Sequence, residues 1–290
     1  MKKIIILVPI FNDWDSFQKL ILEINESITD NEKFLFDCIV VNDASTNKVP
    51  KLKKPKNINS LKIINMKNNK GHARCNAFGI RYISRNEKFD YLILMDGDGE
   101  DRPIELKSLI KKISDNPSKS VVAKRIKRSE GIFFRFLYFM HKIITLIFTG
   151  KKINFGNYSC LTKENAILIS SKGSLWSSYS GTIKKYIKDF NTVDSIRGKR
   201  YVGPSKMSLY SLLIHSFSII AVFKYQVLFR SAIIVIVLNY LSIYSSFNLI
   251  FFQILIILFC ITIFLVSTRE KKEDLINSQN NLNSINDITH

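Results

Sequence analysis

The sequence predicts an α/β fold built on a mostly parallel sheet with helices on both faces, followed by membrane-associated helices. Three observations carry that expectation. Short continuous apolar runs alternate with helix-periodic stretches through the first two thirds of the chain. Pro9-Ile-Phe-Asn-Asp13, Asn42-Asp43 and Asp96-Gly-Asp98 all fall at the carboxyl ends of those runs, where sheets of this kind bind ligands. Beyond Ser205 the composition shifts to long apolar segments with few charges.

Each element follows from its residues. Ile4–Pro9 reads as the first buried strand. Its start imitates a signal peptide, but the run is short, no small-residue cleavage site follows, and Asn12-Asp-Trp-Asp15 opens a turn. Ser16–Ile28 places Phe17, Leu20, Ile21 and Ile24 at helical spacing. Phe36–Asn42 and Leu61–Met66 are the second and third strands, and Ala73–Ile83 is a second helix. Tyr91–Met95 leads into an acidic cluster. Pro103 then opens a helix carrying Ile104, Leu106, Leu109, Ile110 and Ile113, and Ser120–Ala123 is a further strand.

From Ile132 to Gly150, Arg135, Tyr138, His141, Lys142, Thr145 and Thr149 form a polar stripe on an apolar helix. Such a helix is either buried in a core or lies in the plane of a membrane interface, and its cations favour the second. Met207–Phe223 repeats the pattern with Ser208, Ser211, His215 and Ser218. Ser231–Phe247 and Asn248–Val266 are apolar over close to the roughly 20 residues that cross a bilayer, with a hairpin turn around Ser245–Asn248. Lys224 and Arg230 precede them and Arg269, Lys271 and Lys272 follow, which puts both ends in the cytoplasm. The expected organisation is an α/β domain over residues 1–206 that includes an interfacial helix at 132–150. A second interfacial helix covers 207–223, a transmembrane hairpin 227–267, and a polar, Asn-rich, disordered cytoplasmic tail 268–290. The protein is expected in the cytoplasmic membrane, with the α/β domain facing the cytoplasm.

The formal charge of +19 suits an anionic membrane surface or phosphorylated ligands. Nucleic acid is the weakest of the candidate partners and is not expected, because no helix-turn-helix, zinc-finger or RNA-binding-sheet pattern accompanies the charge. Cys38, Cys75, Cys160 and Cys260 are too scattered for a disulfide framework or a zinc site.

Leu92-Ile-Leu-Met-Asp-Gly-Asp-Gly-Glu-Asp-Arg-Pro103 is the most informative stretch. Asp96, Asp98, Glu100 and Asp101 crowd the end of a buried strand, where carboxylates repel and lose hydration unless a cation compensates. Hard oxygen ligands with open coordination positions suit Mg²⁺ or Mn²⁺. A solvated acidic turn before a helix is the alternative.

Six segments in order resemble family-two glycosyltransferases of the GT-A (Rossmann-like) fold, and within them the membrane-bound dolichol-phosphate mannosyltransferase and bactoprenol glucosyltransferase group. They are Val8-Pro-Ile-Phe-Asn-Asp13, Val40-Val-Asn-Asp-Ala-Ser-Thr46, Asn69-Lys-Gly71 through Gly79, Met95 to Pro103, Val122-Ala-Lys-Arg125, and Arg200-Tyr-Val-Gly-Pro-Ser-Lys206. The resemblance runs from Lys3 to about Lys206 and implies an inverting, metal-dependent hexosyltransferase. Its donor would be a nucleotide sugar and its acceptor lipid-linked, a polyprenyl phosphate above all. Pro9, Phe11, Asp13, Asp43, Lys70, Gly71 and Asp96 would hold the donor. Arg125, Arg200, Ser205 and Lys206 would meet phosphates, Asp96, Asp98 and Glu100 would hold the metal, and Asp98, Asp101 and Arg125 would be catalytic.

One departure stands out. A Gly-Asp-Phe-Arg segment of the bactoprenol group reads Gly156-Asn-Tyr-Ser159 here, so its proposed basic Asp is replaced by Asn157. A phosphate acceptor needs no base, whereas a sugar hydroxyl does, and Asp101 is then the nearest candidate. A transferase that extends a cell-surface glycan or lipid-linked saccharide, and a catalytically silent membrane scaffold, remain as alternatives. Self-association into a homo-oligomer is left open.

Overall fold

The computed structural model describes residues 1–29, 31–127, 132–203, 208–244 and 249–288. Its strands are β1 (Lys2–Ile10), β2 (Phe34–Asn42), β3 (Ser60–Met66), β4 (Tyr91–Leu94), β5 (Val121–Lys127), β6 (Phe155–Thr162), β7 (Asn191–Ile196) and β8 (Leu282–Ile288). They form one sheet in the order β7-β5-β6-β4-β1-β2-β3-β8. β1 pairs in parallel with β2 and β4, β2 with β3, and β5 with β7, while β6 and β8 run antiparallel to their neighbours. The helices are α1 (Trp14–Ser27), α2 (His72–Asn86), α3 (Leu106–Asp115), α4 (Ile132–Thr149), α5 (Lys163–Ser170), α6 (Tyr179–Tyr186), α7 (Leu209–Ala221), α8 (Lys224–Tyr244), α9 (Ile250–Ser267) and α10 (Lys272–Ile276).

The period-two alternation of β1 splits its side chains between two cores. Ile5 and Leu7 pack with Phe78 and Ile80 of α2, while Ile4, Ile6 and Val8 pack with Phe17 and Leu20 of α1 and Leu109 of α3. Each such residue, fully buried, contributes about 1.5–3 kcal/mol, so β1 is fixed firmly from both faces. Gly79 lets α2 lie close to the sheet, because a Cβ there would stand 2.6 Å from Leu7 Cδ1. The chain passes from β1 outward through β2 to β3, then returns to β4 on the other side of β1. The crevice this reversal opens is lined by Pro9–Asp13, Asp43 and Asp96–Asp101.

α8 and α9 are long and apolar enough to cross a membrane, with mean hydropathies that reach 1.8 and 2.8 within the stretches that begin at Lys224 and Ile250. They pack on each other and on the two amphipathic helices: the rings of Phe148 (α4) and Phe217 (α7) lie 4.6 and 6.2 Å from that of Phe259 (α9). The Arg230 guanidinium donates to Ile147 O at 3.1 Å, satisfying the end of α4 where Gly150 turns away at φ +70°. Phe136 and Phe139 of α4 remain 58% and 55% exposed, so this face is not core.

The end of the chain corrects an expectation. Residues 268–290 read as a disordered tail, yet α10 and β8 are ordered, and β8 pairs with β3 from Leu61↔Ile288 to Met66↔Leu282. An edge strand needs few apolar side chains. Here backbone pairing, partial burial of Leu282 and Ile288 and amide side chains suffice.

Candidate active site

The β1–α1 loop is tied to the end of β2. Asn12, at φ +51°, accepts from the Thr46 and Asn47 amides at 2.8 and 3.1 Å, and its own N–H donates to Ser45 Oγ at 2.9 Å. Pro9 is buried at the end of β1 and Phe11 is 41% exposed at the crevice mouth. Asp43, buried, accepts from the Lys70 and Gly71 amides at 2.9 and 2.8 Å. Burial raises its pKa despite those two bonds. Asp43 therefore pins the loop that enters α2.

The acidic motif is divided among cations and donors. Asp96 Oδ1 faces His72 Nε2 at 3.2 Å and accepts from the Asn157 amide at 3.2 Å. Burial opposes ionisation of Asp96, but the charge and hydrogen bond of His72, with Arg125 and Asn157, hold its carboxyl well below the usual range. Burial likewise opposes the His72 imidazolium, and Asp96, with Asp98 and Asp101 behind it, outweighs that and raises the His72 pKa. Asp98 accepts from Arg200 at 2.8 Å and from the Glu100 amide at 3.0 Å. Its pKa is pushed up to about 6 by burial and then by the Asp96 charge. Asp101, 3% exposed, accepts from the Asp96 amide at 3.0 Å and lies 3.6 Å from Arg125. Burial and Asp96 push it up to about 7. The Glu100 carboxylate pairs with Arg197. Among the described residues no three His, Cys, Asp or Glu side chains converge as a ready-made metal cage.

A strap crosses this motif. Arg200 pairs with both Asp98 and Asp13, the Tyr201 amide donates to Asp98 O at 2.9 Å, and the Gly198 amide to Glu100 O at 2.8 Å. Gly99, at φ +84°, is required here because a Cβ would collide with the Tyr201 ring. Gly156 leaves room for Arg125, whose Nη2 would stand 3.0 Å from a Cβ at that position. His215 of α7 also senses the site: burial, then the charges on His72, His141 and Arg125, push its pKa down to about 4.

The expected residues Pro9, Asp13, Asp43, Lys70, Gly71, Asp96, Asp98, Asp101, Arg125 and Arg200 thus gather around one crevice, while Ser205 and Lys206 lie outside the described residues. Sequence reasoning missed His72 and Asn76, whose amide lies 3.1 Å from His72 Nε2, and also Arg197. The only signal for His72 was its place directly after the Gly71 helix entry.

A family model for glycosyl transferase family 2 matches residues 5–173, more than half of the chain. The chain belongs to glycosyl transferase family 2. An uncharacterized protein of Methanocaldococcus jannaschii is 29% identical over 165 residues, covering 54% of this chain and 68% of the relative. Among solved structures, mannosyl-3-phosphoglycerate synthase from Rubrobacter xylanophilus superposes with a TM-score of 0.55 at 13% identity, covering 76% of this chain and 72% of that one. Glucosyl-3-phosphoglycerate synthase from Mycobacterium tuberculosis, solved with Mn²⁺, UDP-glucose and phosphoglyceric acid, gives 0.53 at 13%, covering 78% and 80%. These two likenesses establish the family 2 fold, GT-A, for this chain.

Proposed function

We propose that this family 2 glycosyltransferase is inverting and divalent-metal-dependent, and that it moves a sugar from a nucleoside diphosphate to a polyprenyl phosphate at the cytoplasmic face of a membrane. The observation that carries the reading is the meeting of Asp13, Asp96 and Asp98 with Arg125 and Arg200 in one crevice, next to helices that present apolar faces.

The residues fit a divalent cation. Two half-buried carboxylates, Asp96 and Asp98, stand together, Asp98 is pushed towards protonation by burial and by Asp96, and an arginine now bridges Asp98 to Asp13. Mg²⁺ and Mn²⁺ accept one or two carboxylates and complete their shells with phosphate oxygens, so Asp96 and Asp98 suffice as the protein's share. Bound there, the cation would neutralise charge on the departing nucleoside diphosphate. The Mn²⁺ and UDP-glucose of the mycobacterial relative support the same pairing of metal and donor.

The chain's own residues do the rest. Asp43 and the Lys70–Gly71 amides shape the base side, and Arg200 and Arg125 meet phosphates. An acceptor phosphate oxygen attacks the anomeric carbon as the bond to the nucleoside diphosphate breaks. No proton moves, because the attacking monoester is already ionised. Asp101, held under the motif, acts as a brace for Asp96 and Arg125 rather than as a base.

Purified full-length protein is incubated with a panel of nucleotide sugars and polyprenyl phosphate. The expected result is a lipid-linked sugar formed from one donor and abolished by EDTA. Transfer undiminished in EDTA would overturn the metal reading, and transfer to a soluble sugar alone would overturn the acceptor.

A further inference from the structure

We infer that Asn281, in the segment returning from the membrane hairpin, is a positioning residue for the loop over residues 67–71 that shapes the donor site. The inference rests on the donor-site reading above. Asn281 clamps Asn68 from both sides: its side-chain oxygen accepts from the Asn68 N–H at 3.1 Å, and its amide donates to Asn68 O at 2.9 Å. Beside it, the Lys67 N–H donates to Asn281 O at 2.7 Å and Lys67 Nζ to Asn280 O at 3.0 Å. Two residues further on, the Lys70 and Gly71 amides are spent on Asp43 at 2.9 and 2.8 Å. Gly71, at φ +86°, then turns directly into α2, whose first residue is His72. The loop is therefore suspended between Asp43 on the sheet and Asn281 on the returning segment.

A second route leads from the same segment to the other donor-site loop. Asn65 donates to Ser284 Oγ at 3.0 Å and accepts from the Asn42 amide at 2.9 Å. Asn42 in turn accepts from the Ser45 N–H at 3.0 Å, and Ser45 Oγ accepts from the Asn12 N–H at 2.9 Å. Both loops thus depend on hydrogen bonds that start beyond α9. The donor site is complete only once the chain has left the hairpin and paired with β3.

The test uses full-length protein in detergent with Mn²⁺. Binding of uridine diphosphate and guanosine diphosphate is measured calorimetrically, beside donor KM, kcat and a melting curve. Asn281→Ala is expected to raise nucleotide Kd and donor KM about tenfold, the equivalent of roughly one net hydrogen bond, with kcat within about twofold. Asn286→Ala, in β8 opposite Ile63 and away from the loop, is expected to leave Kd unchanged. Ser284→Ala is expected to weaken binding by about threefold and keeps the test decisive if Asn281→Ala fails to fold. Wild-type protein that binds nucleotide, with Asn281→Ala and Ser284→Ala binding equally well, would overturn this inference alone. Wild-type protein that binds neither nucleotide would overturn the donor-site reading and this inference with it.

Discussion

Asp98 carries a heavy electrostatic burden in the crevice. It stands next to Asp96, loses hydration, and is compensated by the Glu100 amide and Arg200, with the His72 charge close by. Asp98→Asn is therefore expected to reduce transfer at least about 100-fold, as removal of a preorganised electrostatic group does. The melting temperature should hold or rise by about 1–2 °C, because repulsion is relieved. Activity assays and melting curves on the same preparation check both, and a folded mutant with full activity would contradict the role. The pKa shifts add a pH dependence. Asp98 and Asp101 are raised from 3.8 to about 6 and about 7, so their protons stabilise the metal-free fold at low pH. That contribution is complete below the unfolded value and is lost as pH rises through the folded values. Asp96 is shifted the opposite way, so its contribution is present above the unfolded value and fades as pH falls below it. A divalent cation replaces those protons, so the melting shift on adding Mn²⁺ is expected to be small near pH 5 and large near pH 8. Equal shifts at both would contradict the ligand set. The acidic motif was legible because four carboxylates end an apolar run. Its partners were not, since nothing in the spacing of Arg197, Arg200 and Tyr201 says that their loop lies across residues 98–101.

Elements with strong periodicity were read well, and those held by pairing alone were not. β1, β2 and β3 announce themselves as apolar runs, whereas β7 reads NTVDSI and β8 reads LNSINDI, edge strands with no run to find. β6 was legible only as a motif, because its residues mix polar and apolar on both faces. In α4, Thr145 and Thr149 of the expected polar stripe are buried, while Phe136 and Phe139 face outward. If that face dips into lipid, replacing both phenylalanines with serine removes roughly 2 kcal/mol of burial each. Transfer to a long-chain lipid acceptor is then expected to fall, while slow metal-dependent donor hydrolysis survives. Loss of both activities with a collapsed melting transition would make α4 a core helix instead.

At the level of the whole molecule, both ends of the apolar hairpin are tied to the α/β domain. Arg230, near the start of α8, caps α4, and beyond α9 the chain joins the sheet as β8. A hairpin anchored in this way returns to the side it left. Both ends are therefore expected in the cytoplasm, in agreement with their flanking cations. Labelling of Ser246→Cys, outside the described residues, from the exterior of intact cells, with a cysteine at Asn283 labelled only after permeabilisation, is the expected outcome. External labelling at Asn283 would invert the topology. The account stands or falls on one comparison: transfer of a radiolabelled sugar from its nucleoside diphosphate to polyprenyl phosphate by purified wild-type and Asp98→Asn protein, with Mn²⁺ and with EDTA. The account predicts a lipid-linked product from the wild type with Mn²⁺ and none in the other three reactions. Product in EDTA, or from the folded mutant, would contradict it.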